Sequence, residues 1–160
     1  MIEHKIKSLP DLIESINKEK ACGKIIGFTN GCFDILHLGH VRYLNEAKKE
    51  CDILVLGMNS DVSVKRLKGA ERPINPEGSR LFVLASLECI DYVTLFSEDT
   101  PEKLIKSITP DILFKGGDWA EEDVVGGGHV KEHGGKVRLI SFVDGFSTTD
   151  IINKMKRENG

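Results

Sequence analysis

Five short apolar runs, four of them followed by helical or helix-opening stretches before the next, constrain this chain more than any other feature. The runs are Ile25-Ile26-Gly27-Phe28, Ile53 to Met58, Tyr92 to Phe96, Ile112 to Phe114 and Val137 to Phe142. Runs of this length without polar alternation read as strands buried on both faces. Leu9, Leu12, Ile13 and Ile16 recur at helical spacing, so a helix over Leu9 to Ala21 precedes the first run. Val41, Leu44 and Ala47 give a second helix from Gly39 to Glu50. Asn75-Pro76-Glu77 opens another, with Asn75 as N-cap and Pro76 in the first turn, running to about Cys89. Thr100-Pro101-Glu102 starts the next helix, and Ser147 starts the last. Glu121 to His133 is a poor helix because Gly126-Gly127-Gly128 interrupts it. Strands alternating with helices imply right-handed βαβ units. The expected fold is therefore α/β: a single-domain, doubly wound, Rossmann-like sheet of five parallel strands with helices on both faces. Residues 1–24 form a helical extension ahead of a domain spanning 25–160.

The first strand leads through Thr29-Asn30-Gly31-Cys32-Phe33-Asp34-Ile35-Leu36 into His37-Leu38-Gly39-His40. Two histidines thus stand where a strand turns into its helix, the place where open α/β sheets bind ligands. A helix N-terminus offers free N–H groups and partial positive charge to an anion. Gly39 removes the side chain that would block close approach, and both imidazoles add donors.

Three further stretches fall at strand ends. Lys65-Arg66-Leu67-Lys68-Gly69-Ala70-Glu71-Arg72 holds four cations against one acid, and reads either as a solvated run or as a mobile loop that neutralises phosphates. Lys115-Gly116-Gly117-Asp118 suits a tight turn that also exposes backbone to a ligand edge. Asp144-Gly145-Phe146-Ser147-Thr148-Thr149-Asp150 combines a capping box, Ser147 with Asp150, with three hydroxyls at a helix start. Two helix N-termini and one basic stretch suit a ligand with several phosphates. Arg80 reads equally as a surface residue or as a member of the cleft, and His129 with His133 stand i, i+4 without a third ligand in view. GxxxxGK[ST] and GxGxxG are both absent, which removes the P-loop and dinucleotide readings.

The chain has 160 residues, 40% of them hydrophobic and 29% charged, with a net charge of −3. These values suit one soluble domain and argue against a dedicated nucleic-acid binder. No run is long enough for a membrane span, and Met1 to Leu12 lacks a signal-peptide core. Cys22, Cys32, Cys51 and Cys89 are too scattered for a disulfide framework, so reduced, mostly buried thiols and a cytoplasmic location are expected.

The Thr29 to His40 stretch together with Ser147-Thr148-Thr149 resembles the HxGH nucleotidyltransferases related to class I aminoacyl-tRNA synthetases. Asn59-Ser60-Asp61, Lys65 to Gly69, Arg72-Pro73, Lys115 to Asp118 and Asp144 to Thr149 extend the likeness to the D-glycero-β-D-manno-heptose 1-phosphate adenylyltransferases, which form ADP-heptose. It covers about residues 25 to 155, making 25–160 a nucleotidyltransferase domain. The resemblance implies attack of a sugar 1-phosphate on the α-phosphorus of ATP, without a covalent intermediate and with Mg²⁺ bound on the ATP phosphates rather than in a protein metal site. It implies that His37, His40 and Lys65 are catalytic. It assigns nucleotide binding to Thr29, Asn30, Gly31, Phe33, Gly39, His40, Lys115, Gly116, Asp118, Ser147, Thr148 and Thr149. Sugar-phosphate binding falls to Asp34, Arg66, Lys68, Arg72 and Arg80. ATP and a sugar 1-phosphate are the implied partners, with no nucleic acid and no membrane, a homodimer, and a separate upstream sugar kinase. The rival readings are a cytidylyltransferase acting on glycerol 3-phosphate or a related phosphoalcohol, and a noncatalytic nucleotide-binding module. Against the first, no Arg precedes Ser147 in Phe142-Val143-Asp144-Gly145-Phe146.

Overall fold

A computed structural model describes residues Met1–Gly160. Its five strands are β1 (Ile26–Gly31), β2 (Ile53–Asn59), β3 (Tyr92–Phe96), β4 (Ile112–Gly116) and β5 (Lys136–Ile140). The helices are α1 (Leu9–Ala21), α2 (Leu38–Lys49), α3 (Asp61–Lys68), α4 (Glu77–Ala85), α5 (Glu102–Ile108), α6 (Gly127–Glu132) and α7 (Thr148–Glu158), with 3-10 turns at Ile2–Lys5 and Glu121–Asp123. All strands pair in parallel, in the order β3-β2-β1-β4-β5. The chain thus winds one way from β1 to β3, then returns to continue on the other side of β1. The strand order reverses between β1 and β4, which opens a crevice at their C-terminal ends.

The sheet is buried on both faces because its side chains alternate. Leu54, Leu56 and Met58 of β2 pack with Leu44, Ala47 and Leu84 from α2 and α4. Val55 points the other way and joins Leu12, Ile16, Ile105 and Val130 from α1, α5 and α6. The segment 1–24, set apart by its sequence as an extension, is therefore part of the fold. Leu12 and Ile16 are fully enclosed, and Ile6 bridges to Val93 of β3. No helix is long and apolar enough to cross a membrane.

Several elements differ from the sequence expectation. The basic run is not one loop: Ser60 caps α3 through Ser63 N–H, and the helix carries Lys65, Arg66 and Lys68 before ending at Gly69. Val64 and Ser63 alone are buried along it, too sparse a pattern to register as a helix. Helix α4 starts one residue later than expected, with Pro76 at the N-cap, and stops at Ala85. Asn75 does not cap it: its side-chain amide donates to Asp34 O at 2.7 Å. Strand β5 stops at Ile140, which leaves Ser141 to Phe146 outside the sheet.

Arg80 is neither exposed nor in the cleft. It is 2% exposed, and its guanidinium donates to Cys32 O at 2.6 Å, Asn59 O at 2.9 Å, Asn75 O at 3.0 Å and Asp61 Oδ1 at 2.8 Å. A planar five-donor group can tie the end of β1, the end of β2 and the start of α4 in one plane. Removing it leaves those carbonyls unpaired in a dry region. Arg80→Met is expected to lower unfolding stability by about 3 kcal/mol in urea titration. A loss under about 1 kcal/mol would show that the staple is not needed.

Candidate functional site

A cleft of about 800 Å³ lies over the crevice between β1 and β4. His37, Gly39 and His40 line one wall, Lys115 and Gly116 another, and Ser147, Thr148 and Thr149 a third. Lys68 and Arg72 come from the end of α3 and the segment after it.

His37 is the N-cap of α2, in extended conformation. Its Nδ1 accepts Gly39 N–H at 3.1 Å, while His40 Nδ1 accepts His37 N–H at 3.3 Å. The two rings stack with centroids 3.8 Å apart. Gly39 is required by this return of the His37 ring: a Cβ there would lie 2.9 Å from His37 Cε1. With both Nδ1 atoms accepting, each neutral ring carries its proton on Nε2, the atom left for a ligand. Burial, and then the charge of His37, pull His40 from its ordinary 6.5 down to about 4. Burial lowers His37 as well. Both are therefore neutral donors at neutral pH. Leu38, in the first turn, has no intrahelical acceptor for its N–H.

The second helix start is tied to the first. Thr148 Oγ1 donates to Ile35 O at 3.1 Å, holding the beginning of α7 against the turn ahead of His37. Ser147 Oγ accepts Asp150 N–H at 3.4 Å, the forward half of the expected capping box. The three hydroxyls are thus unequal: Thr148 has committed its proton, whereas Ser147 and Thr149 can still donate.

Asp34 is buried beneath the cleft floor. It accepts Arg72 Nε at 2.8 Å, Ile74 N–H at 2.8 Å and Asn75 N–H at 2.9 Å. Burial opposes its charge, but these bonds prevail and hold its carboxyl below the usual value. Since Asp34 engages Nε, it fixes Arg72 and leaves the terminal nitrogens for the cleft. Phe33 takes a left-handed φ of 48° and rests its ring on His40, 5.1 Å between centroids.

The remaining expected site residues are dispersed. Asn30, Gly31 and Phe33 line the cleft, but Thr29 lies beneath it, its hydroxyl 2.8 Å from that of Tyr43. Lys65 and Arg66 are exposed on α3 outside the lining, and Arg66 Nε pairs with Asp99 at 2.8 Å. Asp118 is exposed beyond the lining, while Lys115 sits 4.9 Å over the Trp119 ring, and burial lowers its pKa. His129 meets Thr109 through Nε2 at 2.9 Å and does not line the cleft. Sequence reasoning gave no ligand role to Phe142, read as the end of a strand, or to Phe146, both of which line the cleft, although two aromatics ahead of a helix cap were visible there.

The cytidylyltransferase-like family model matches residues 28–159. The bifunctional protein HldE of Geobacter metallireducens is 56% identical over 156 residues, covering 98% of this chain and 32% of that protein. HldE of Nitratiruptor sp. is 59% identical over 145 residues, 90% of this chain and 30% of that one. The chain spans about a third of the length of these curated relatives. A solved lipopolysaccharide core biosynthesis protein from Thermoplasma volcanium superposes with a TM-score of 0.63 at 31% identity, over 76% of this chain and 98% of that one. A pantoate-beta-alanine ligase from Francisella tularensis, 16% identical with a TM-score of 0.58 over 94% of this chain and 76% of that one, shares the fold alone. The fold and these matches define a nucleotidyltransferase. The chain belongs to the cytidylyltransferase-like family.

The depressed His40 value has a consequence for stability. The unfolded chain takes up a proton near 6.5 that the folded protein refuses until about 4. The His40 contribution is complete above 6.5 and is lost as pH falls toward 4. Wild-type urea midpoints are expected to drop between pH 7 and pH 5 more than those of His40→Asn. Equal drops in the two proteins would contradict the burial of His40.

Proposed function

We propose that the chain transfers an adenylyl group from ATP to D-glycero-β-D-manno-heptose 1-phosphate, giving ADP-heptose and pyrophosphate. The observation that carries this reading is the joining of two helix N-termini at the paired histidines, with Lys68 and Arg72 facing the same cleft. The HldE relatives and the lipopolysaccharide-related solved neighbour support the sugar assignment. A phosphate oxygen of the acceptor attacks the α-phosphorus, a new P–O bond forms, and the bond to the β-phosphate breaks. No side-chain nucleophile is needed. His37 and His40 donate from Nε2 to α-phosphate oxygens as charge builds there, an arrangement that acts by preorganised donors rather than proton transfer. The start of α7, with Ser147 and Thr149, holds the β- and γ-phosphates as pyrophosphate departs. Arg72, braced by Asp34, and Lys68 hold the acceptor phosphate. Lys65 and Arg66 join this reading only if α3 closes toward the phosphates, and Arg66 must then leave Asp99.

Asp34 and Asp99 are engaged by Arg72 and Arg66, and no three His, Cys, Asp or Glu side chains gather as a ligand set. This donor set does not make a metal cage. Magnesium would arrive on the triphosphate, where it neutralises phosphate charge. A phosphorylating enzyme must supply the sugar 1-phosphate, and a homodimer in the cytoplasm completes the proposal.

Pyrophosphate release tests it, with ATP, CTP, GTP and UTP each offered heptose 1-phosphate, glycerol 3-phosphate or phosphoethanolamine. ATP with heptose 1-phosphate is expected to exceed every other pair by at least about tenfold, roughly 1.4 kcal/mol. Equal turnover of CTP with glycerol 3-phosphate would replace this reading with a cytidylyltransferase.

With the productive pair, His37→Ala and His40→Ala are each expected to lower kcat by about 10²–10³. The double variant should lose less than the product, because both rings serve one charge centre. Full activity in either single variant would remove the histidines from the mechanism. Arg72→Ala is expected to raise KM for the sugar phosphate about tenfold or more while moving KM for ATP little. A larger effect on ATP would place Arg72 at the triphosphate instead.

A further inference from the structure

Six aromatic side chains line the cleft; Phe114 is buried in the core, and four of the other five already have partners. Phe33 lies against His40, Phe146 stacks near His37 with centroids 6.2 Å apart, Trp119 carries Lys115, and the Tyr43 hydroxyl meets Thr29. Phe142 differs. Its ring lies on the Gly116-Gly117 turn at the end of β4, and it is nonetheless 62% exposed.

The underside of that ring is fixed by the absence of side chains beneath it. A Cβ on Gly116 would stand 2.5 Å from Phe142 Cε1, and one on Gly117 would stand 2.9 Å from Cε2. Gly117 also holds a φ of 98°, which disfavours any other residue. The two glycines therefore form a flat seat for an aromatic ring. Tyr43 touches only the margin, 6.4 Å away and tilted by 51°. The outer face of Phe142 is open to the cleft at the β1–β4 crevice, where this sheet type takes a nucleotide.

We infer that Phe142 is the shelf on which the nucleobase stacks, and that it sets a preference for purine over pyrimidine. The inference rests on the nucleotide-transfer reading and deepens it. The glycine pair then acts through Phe142 rather than by touching the base on that face. A planar base covers an exposed π-face that no protein group covers, and the larger purine overlaps it more fully. The phosphates extend from there toward the starts of α2 and α7.

The test is calorimetric titration of wild type, Phe142→Ala, Phe142→Leu and Phe142→Tyr with Mg-ATP, Mg-CTP and inorganic tripolyphosphate. Phe142→Ala and Phe142→Leu are expected to weaken ATP about tenfold and CTP by less, and to leave tripolyphosphate unchanged. Phe142→Tyr is expected to retain wild-type ATP affinity, since it keeps the ring. The Leu variant keeps apolar bulk over the glycines, so a loss shared by Ala and Leu reports the π-face rather than the fold. Unchanged or tighter ATP binding in both variants overturns the inference, the tighter result meaning that the ring occupies the place of the base. An equal loss for tripolyphosphate also overturns it, because Phe142 would then serve only to orient the start of α7. If wild type binds tripolyphosphate but neither nucleotide, the nucleotide reading itself fails, and the shelf with it.

Discussion

The capping of the start of α2 by the His37 and His40 rings is the interaction on which the site depends. Each ring uses Nδ1 to hold a backbone N–H at the start of α2, so each is fixed in orientation and tautomer by the helix it caps. Ordinary caps use Ser, Asp or Asn. An imidazole has a second nitrogen, and here capping and ligand donation fall to opposite edges of one ring. Burial of the pair keeps both rings neutral, which preserves each Nδ1 as an acceptor for the helix start and limits repulsion between rings 3.8 Å apart.

The surroundings brace that arrangement at the backbone level. Thr148 ties α7 to the turn before His37, and Asp34 gathers the segment from Arg72 to Asn75 beneath the cleft. Arg80 joins the ends of β1 and β2 below both. These contacts order the walls, and Lys68, Lys115 and the outer edge of Arg72 supply the cations that line the cleft. A reaction that gathers charge on phosphate oxygens gains most from groups held in place beforehand.

Much of the architecture was legible in the chain because burial on both faces forces continuous apolar runs, and β3 runs over the same residues the pattern marks, Tyr92 to Phe96. The histidine site was legible for a related reason: a Gly-containing turn between such a run and an amphipathic helix has one place to go in this sheet. Helix α3 was missed because only Ser63 and Val64 are buried along it, so its periodicity is faint. Arg80 was ambiguous because a buried arginine looks like an exposed one until its carbonyl partners, 5 to 48 residues away, are assembled around it. Phe142 was read as the end of a strand, since the apolar pattern continues past Ile140 where the ladder stops. Long-range hydrogen bonds and strand ends are properties of the assembled sheet, and local pattern carries little of either.

The central claim is that each histidine spends Nδ1 on the helix start and keeps Nε2–H for phosphate. Side-chain ¹⁵N NMR of the ligand-free protein, with His37 and His40 assigned by substitution, tests it most directly. Both rings should show the neutral Nε2–H form at pH 7, and His40 should remain neutral down to about 4. A His40 that titrates near its ordinary 6.5, or either ring carrying its proton on Nδ1, would contradict the account.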